Sequence, residues 1–82
     1  VIDLVRQAID EHGRLSAPAR ELGVNSDLYE LGLTSFAAVR IMLALENAYG
    51  VQFPEHMLRR RNFASIGAIV ACLRELERKA AA

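Results

Sequence analysis

The chain has 82 residues, 52% of them apolar, and its ten basic and ten acidic side chains cancel to a formal charge of zero. That is enough for one compact domain with a small single core. Neutrality argues against a general nucleic-acid binder, which needs a basic excess to displace counterions.

No apolar run approaches the ~20 residues that a membrane span requires. Asp3 and Arg6 stand too early for a signal peptide. The one cysteine, Cys72, has no partner for an internal disulfide, and no Cys/His cluster has zinc spacing. A chain of this kind suits a reducing compartment. The expectation is a soluble, cytoplasmic monomer with no membrane or nucleic-acid partner, folded as one domain over residues 1–79 with a frayed tail at 80–82.

Val1, Leu4, Val5, Ala8 and Ile9 repeat with helical spacing, and Gly13 is a natural stop, so a first helix of about three turns is predicted. From Gly13 to Thr34 the periodicity breaks, with Pro18, Gly23 and Gly32 among turn-forming residues. Leu15, Leu22, Val24, Leu28, Tyr29, Leu31 and Leu33 are scattered through the same stretch. Side chains of this type favour burial, so the stretch reads as a long ordered loop pinned to the core, with a short helical turn over Pro18–Leu22.

Ser35 to Tyr49 is the strongest helix, with Thr34 as its N-cap and Gly50 as its stop. Ala38, Ile41, Met42, Leu45 and Tyr49 mark its core face. Phe36, Val39 and Leu43 form a second apolar line, more than a surface helix of a small domain needs for folding, and surplus of that kind marks an interaction site. A short third helix is predicted from Pro54 through Arg59. A last helix begins near Ser65, a second good N-cap, and runs to about Lys79, burying Ile66, Ile69, Val70, Leu73 and Leu76. Cys72 beside that line reads as core filler. The fold class is all-α: four helices, a long ordered first loop and a short third helix.

Catalytic readings fail on pattern. His12 and His56 lack a nearby second ligand or partner. Gly32-Leu33-Thr34-Ser35-Phe36 is not a Gly-x-Ser-x-Gly elbow, and there is no glycine-rich phosphate loop. What remains is Ser35, placed where an irregular loop becomes a helix, with free first-turn amides and a helix dipole that favour a negative group. Spacing alone favours the plainer role of a helix-starting residue.

Leu31-Gly32-Leu33-Thr34-Ser35 resembles the Leu-Gly-x-Asp-Ser-Leu signature of acyl carrier proteins. Met42-Leu43-Ala44-Leu45-Glu46 is similar to that family's second helix, Val51-Gln52-Phe53-Pro54 to the approach to its short third helix, and Phe63-Ala64-Ser65-Ile66 to the start of its last. The resemblance runs in order along nearly the whole chain. It implies a four-helix carrier bundle, not an enzyme, in which Ser35 bears a covalent phosphopantetheine arm from coenzyme A, with Thr34 as the cap beside it. The cargo is then an acyl or aminoacyl group held as a thioester. Implied partners are a phosphopantetheinyl transferase, a ligase that loads the acyl group or amino acid, and downstream transferases.

Three departures from the family pattern carry information. Thr34 stands where the family usually has aspartate, and Phe36 where it usually has leucine. Fatty-acid carriers are acidic along the second helix, whereas here Arg40 is mid-helix and Glu46 is its only acid. Such acids set partner choice through charge complementarity, so the resemblance implies a specialised rather than a housekeeping carrier. Together with the basic Met57-Leu58-Arg59-Arg60-Arg61, the pattern resembles small stand-alone bacterial carriers, some of which take amino acids from truncated relatives of class II aminoacyl-tRNA synthetases. The expected docking surface is Phe36, Val39, Arg40 and Leu43 with Arg59, Arg60 and Arg61. The alternative is a small helical docking or DNA-binding module without a cofactor, with Arg59, Arg60, Arg61 and the second apolar line of the Ser35–Tyr49 helix as its interface.

Overall fold

The structure, a computed structural model, describes residues 2–81; Val1 and Ala82 lie outside them. Three α-helices appear among the described residues: α1 (Ile2–His12), α2 (Ser35–Tyr49) and α3 (Ile66–Ala81). Short 3-10 turns at Ala19–Glu21, Glu55–Met57 and Arg60–Phe63 punctuate the connections. No strand occurs among the described residues, so the class is all-α, as the periodicity predicts.

The expected short third helix from Pro54 through Arg59 is reduced to a 3-10 turn, so the structure has three α-helices rather than four among the described residues. Pro54 stays extended (φ −69°, ψ 159°) as the residue before a single 3-10 turn, and Arg59 is extended again (φ −117°, ψ 143°). The break has a packing reason. Met57 and Phe63 are both buried, and the extended step at Arg59 turns the chain so that each side chain reaches the core. The Asn62 side-chain amide then donates to the Met57 carbonyl at 2.9 Å, taking an acceptor that a continuing helix would have used.

α2 and α3 are capped as their sequences require. Thr34 Oγ1 accepts from the Ala37 amide at 3.0 Å at the start of α2. Ser65 Oγ accepts from the Ala68 amide at 3.1 Å at the start of α3. Gly50 ends α2 in the left-handed region, φ 65°, which a side chain would disfavour. α3 runs through Ala81, two residues beyond the predicted end at Lys79.

α1 packs against both α2 and α3. The shared core holds Val5 and Ile9 from α1, Ile41 and Leu45 from α2, and Ile66, Ile69 and Leu73 from α3, each at most 1% exposed. Cys72 joins it as predicted. Leu22, Leu28 and Leu33 from the first loop are buried in the same core. Full burial of one such side chain contributes about 1.5–3 kcal/mol, enough to hold a glycine-rich loop in one conformation.

Hydrogen bonds complete the attachment of that loop. The Arg6 guanidinium on α1 donates to the carbonyls of Ala19 and Leu22, and Asp10 accepts from the Ala19 amide at 2.8 Å. The Leu28 amide donates to the Ala64 carbonyl and the Gly67 amide to the Val24 carbonyl, both at 2.8 Å. Val24 itself departs from expectation: its carbonyl is tied to α3, but its side chain is exposed.

Candidate functional site

The segment that delivers Ser35 is a chain of local turns. Asp27 Oδ1 accepts from the amides of Tyr29 (3.0 Å) and Glu30 (3.3 Å), which starts a tight turn. The Gly32 amide donates to the Tyr29 carbonyl at 3.2 Å and the Leu33 amide to the Leu28 carbonyl at 3.0 Å. Gly32 sits at φ +105°, a conformation that side chains rarely adopt, and so explains the glycine at this place. Buried Leu28 and Leu33 fix both ends of the turn. Thr34 is extended (φ −99°, ψ 161°) and Ser35 is the first residue of α2, exposed to solvent.

The hydroxyl of Ser35 therefore projects from a rigid corner. First-turn amides have no partner inside a helix. Thr34 takes up that of Ala37, which leaves those of Ser35 and Phe36 for an anionic group on the serine.

Beside Ser35 lies an open groove of about 240 Å³. Ala38, Val39 and Met42 of α2 form one wall; Leu58, Arg59, Arg60 and Phe63 form the other, with Tyr29 at the end. The Arg60 guanidinium carbon lies 3.8 Å from the centre of the Tyr29 ring, a close cation–π stack. Burial pushes the Tyr29 phenol above its ordinary range; Arg60 opposes the shift and Asp27 reinforces it. The phenol is thus a neutral hydroxyl at physiological pH.

Ser35, Val39, Arg59 and Arg60 are brought together in this groove. Thr34, Phe36 and Arg40 line a separate depression with Glu11, His12 and Arg14. There the Arg40 guanidinium lies over the Phe36 ring at 5.7 Å. Arg61 faces a third depression with Asp27 and Glu30, and Leu43 lies farther along α2. Arg40, Arg59, Arg60 and Arg61 are all exposed, and none of them forms an ion pair among the described residues.

Phe36 (72%), Val39 (49%) and Leu43 (52%) are exposed, so the second apolar line of α2 lies outside the core. On the predicted core face Ala38, Ile41 and Leu45 are buried, while Met42 and Tyr49 are half-buried. Sequence reasoning missed Tyr29, Met42 and Leu58 as groove residues. Tyr29 and Arg60 meet across distant segments and carry no local signal, whereas Leu58, an apolar residue beside an arginine run, offered a weak one. It also left open the use of Glu46. That carboxylate accepts from the Phe53 amide at 2.8 Å, and the Glu46 carbonyl accepts from the amides of Gly50 and Val51. The only acid of α2 is thus occupied in holding the chain after the helix.

Comparison with known proteins decides the family. A model for the phosphopantetheine attachment site matches residues 3–73. The chain belongs to that family. It is a phosphopantetheine-dependent carrier, not an enzyme. The carrier is 42% identical over 65 residues to the aminoacyl carrier protein of Agrobacterium fabrum, an alignment covering 79% of this chain and 78% of the relative. A chain in the crystal structure of engineered Bradyrhizobium japonicum glycine:[carrier protein] ligase complexed with carrier protein from Agrobacterium tumefaciens and AMP matches with a TM-score of 0.86 at 36% identity. That match covers 90% of this chain and 99% of the other. A solution structure of an Agrobacterium tumefaciens protein matches over the full length of both chains, with a TM-score of 0.75 and 37% identity.

The carrier's own residues suit the cofactor. An exposed serine at a helix start, free amides and two arginines beside it accommodate a phosphodiester, and the apolar groove wall accommodates a pantetheine chain. Family membership sets aside the cofactor-free docking or DNA-binding module. No helix among the described residues is long and apolar enough to cross a membrane, and no group of three or more His, Cys, Asp or Glu is placed to hold a metal ion.

Proposed function

We propose that Ser35 is the residue carrying the phosphopantetheine arm, and that the cargo is an amino acid loaded by a ligase similar to the glycine:[carrier protein] ligase of the related complex. The observation that carries the reading is the position of Ser35: exposed, first in α2, and held by the turn from Asp27 to Leu33 at the mouth of a cation-rimmed groove. Ser16 and Ser26 sit in the loop without a helix behind them, and Ser65 is occupied as a cap. When bound, the arm supplies a terminal thiol that holds the cargo as a thioester. The protein positions that arm and presents it. Phe36, Val39, Arg40 and Leu43, with Arg59 and Arg61, form the surface offered to partners. These are a phosphopantetheinyl transferase, the ligase and a downstream transferase that accepts the amino acid. The carrier works as a monomeric single domain in the cytoplasm, in keeping with its unpaired Cys72.

Intact mass after incubation with coenzyme A and a phosphopantetheinyl transferase tests the attachment. The wild type gains one arm and Ser35→Ala gains none; an arm mapped to another serine ends the reading. The holo-protein is then incubated with ATP, a glycine:[carrier protein] ligase and single amino acids. A further mass gain with an amino acid supports the aminoacyl assignment. Loading by an acyl ligase with fatty acids alone would replace it with an acyl carrier.

A further inference from the structure

Arg60 is fixed in place and yet its donors are unused. Its guanidinium carbon lies 3.8 Å from the centre of the Tyr29 ring, a contact with the ring that uses none of its N–H donors. It makes no hydrogen bond or ion pair among the described residues. Two carboxylates, Asp27 and Glu30, share a depression with it on one flank. Asp27 is already accepting two backbone amides, and neither carboxylate is in ion-pair contact with Arg60. The other flank of Arg60 lines the groove that contains Ser35. A preorganised guanidinium with unused donors is the group of choice for an oxyanion with two open oxygens.

Resting on the Ser35 reading above, we propose that Arg60, positioned by Tyr29, binds the phosphodiester that joins the arm to Ser35. The ligand class is a tethered phosphodiester monoanion. Its local concentration at Arg60 is set by a link only a few atoms long, so it reaches the mM range or above and a weak contact is still populated. The contact holds the start of the arm at the mouth of the groove, next to Val39, Met42 and Leu58, whose apolar surface suits the branched hydrocarbon that follows the phosphate. Arg59 borders the same groove but has no ring to fix it, so its share is the smaller.

The test uses holo-protein whose single arm on Ser35 has first been verified by mass. Its phosphorus NMR resonance is compared with that of the same holo-protein unfolded in urea. In the folded wild type the resonance is displaced, and raising salt from ~20 mM to ~500 mM shrinks the displacement by screening. Arg60→Gln, with an unchanged melting temperature, loses more than half of the displacement and most of its salt response; Arg59→Gln loses less. Tyr29→Leu, which keeps the cation but removes its support, falls between the wild type and Arg60→Gln. An Arg60→Gln resonance that matches the wild type at every salt concentration overturns the proposal, as does a loss confined to Arg59→Gln. Should Arg60→Gln not fold, a wild-type resonance indifferent to salt overturns it equally. A protein that gains no arm on Ser35 removes the attachment reading and this one together, whereas an arm present without the salt response removes only this one.

Discussion

Ile41 and Leu45 on α2 are at most 1% exposed, whereas Val39 and Leu43, only a residue or two away along the chain, are about half exposed at 49% and 52%. Composition does not distinguish the two lines. What separates them is cover: α1 and the buried leucines of the first loop close over one side of α2, while on the other the described residues leave an open groove at Val39 and leave Leu43 exposed. A domain of this size cannot surround an apolar helix. Surplus hydrophobicity on such a helix therefore stays at the surface, and the proposed docking face is the one that runs from Phe36 beside Ser35 through Val39 to Leu43.

The contrast is broken or sharpened by substitution. Leu45→Ala should cost ~2–5 kcal/mol in urea or thermal unfolding, a large share of the stability of a small domain, because it opens a cavity in a closed core. Leu43→Ala should leave the melting temperature almost unchanged while slowing amino-acid loading about tenfold, as loss of one apolar anchor at an interface does. Equal unfolding of the two variants would make the exposed line core and erase the distinction. Thr34→Ala removes the cap that both lines share. It should lower stability by about 1 kcal/mol and still leave Ser35 able to receive the arm, which intact mass would show.

The smallest effect is in alkali and draws on both sides, with Cys72 in the core and Tyr29 at the groove. Burial raises the pKa of the Cys72 thiol and of the Tyr29 and Tyr49 phenols, with Glu75 adding to the first, Arg60 opposing and Asp27 adding at the second, and Glu77 and Asp3 adding to the third. The folded protein therefore keeps protons that the unfolded chain releases. Stability should be insensitive to these groups at neutral pH, where all are protonated in both states, and decline above about pH 9 as the unfolded chain begins to ionise. Unfolding midpoints in urea from pH 7 to pH 10.5 would record it; a midpoint that rises with pH would contradict the sign.

Much of this was legible in the sequence because it is written locally. The period of Ile41 and Leu45, the caps Thr34 and Ser65 and the glycines at 32 and 50 each act within a few residues, and each is found where expected. The long first loop was legible as ordered because its leucines have nowhere favourable to go but inward. The region after Pro54 was not, since whether it forms a helix depends on two anchors, Met57 and Phe63, reaching one core from opposite sides of Arg59. The groove escaped for the same reason: Tyr29 meets Arg60, and Met42 meets Leu58, only after folding.

The engagement of Glu46 with the Phe53 amide and of Asp27 with the turn before Ser35 has an effect beyond local structure. With both carboxylates engaged by backbone amides, Arg40, Arg59, Arg60 and Arg61, all exposed and outside any ion pair among the described residues, are the cations offered near the serine, beside the exposed Glu11 and Glu30. Enzymes whose basic patches have adapted to acidic carriers meet cations here, and like charge at an interface discriminates against the wrong partner as effectively as good contacts favour the right one. In a cell that also makes fatty acids, this carrier would be insulated from that traffic. Cross-acylation should then be held down by the sign of a surface, and arginine-to-glutamate changes around Ser35 should raise acylation by fatty-acid enzymes in a loading assay.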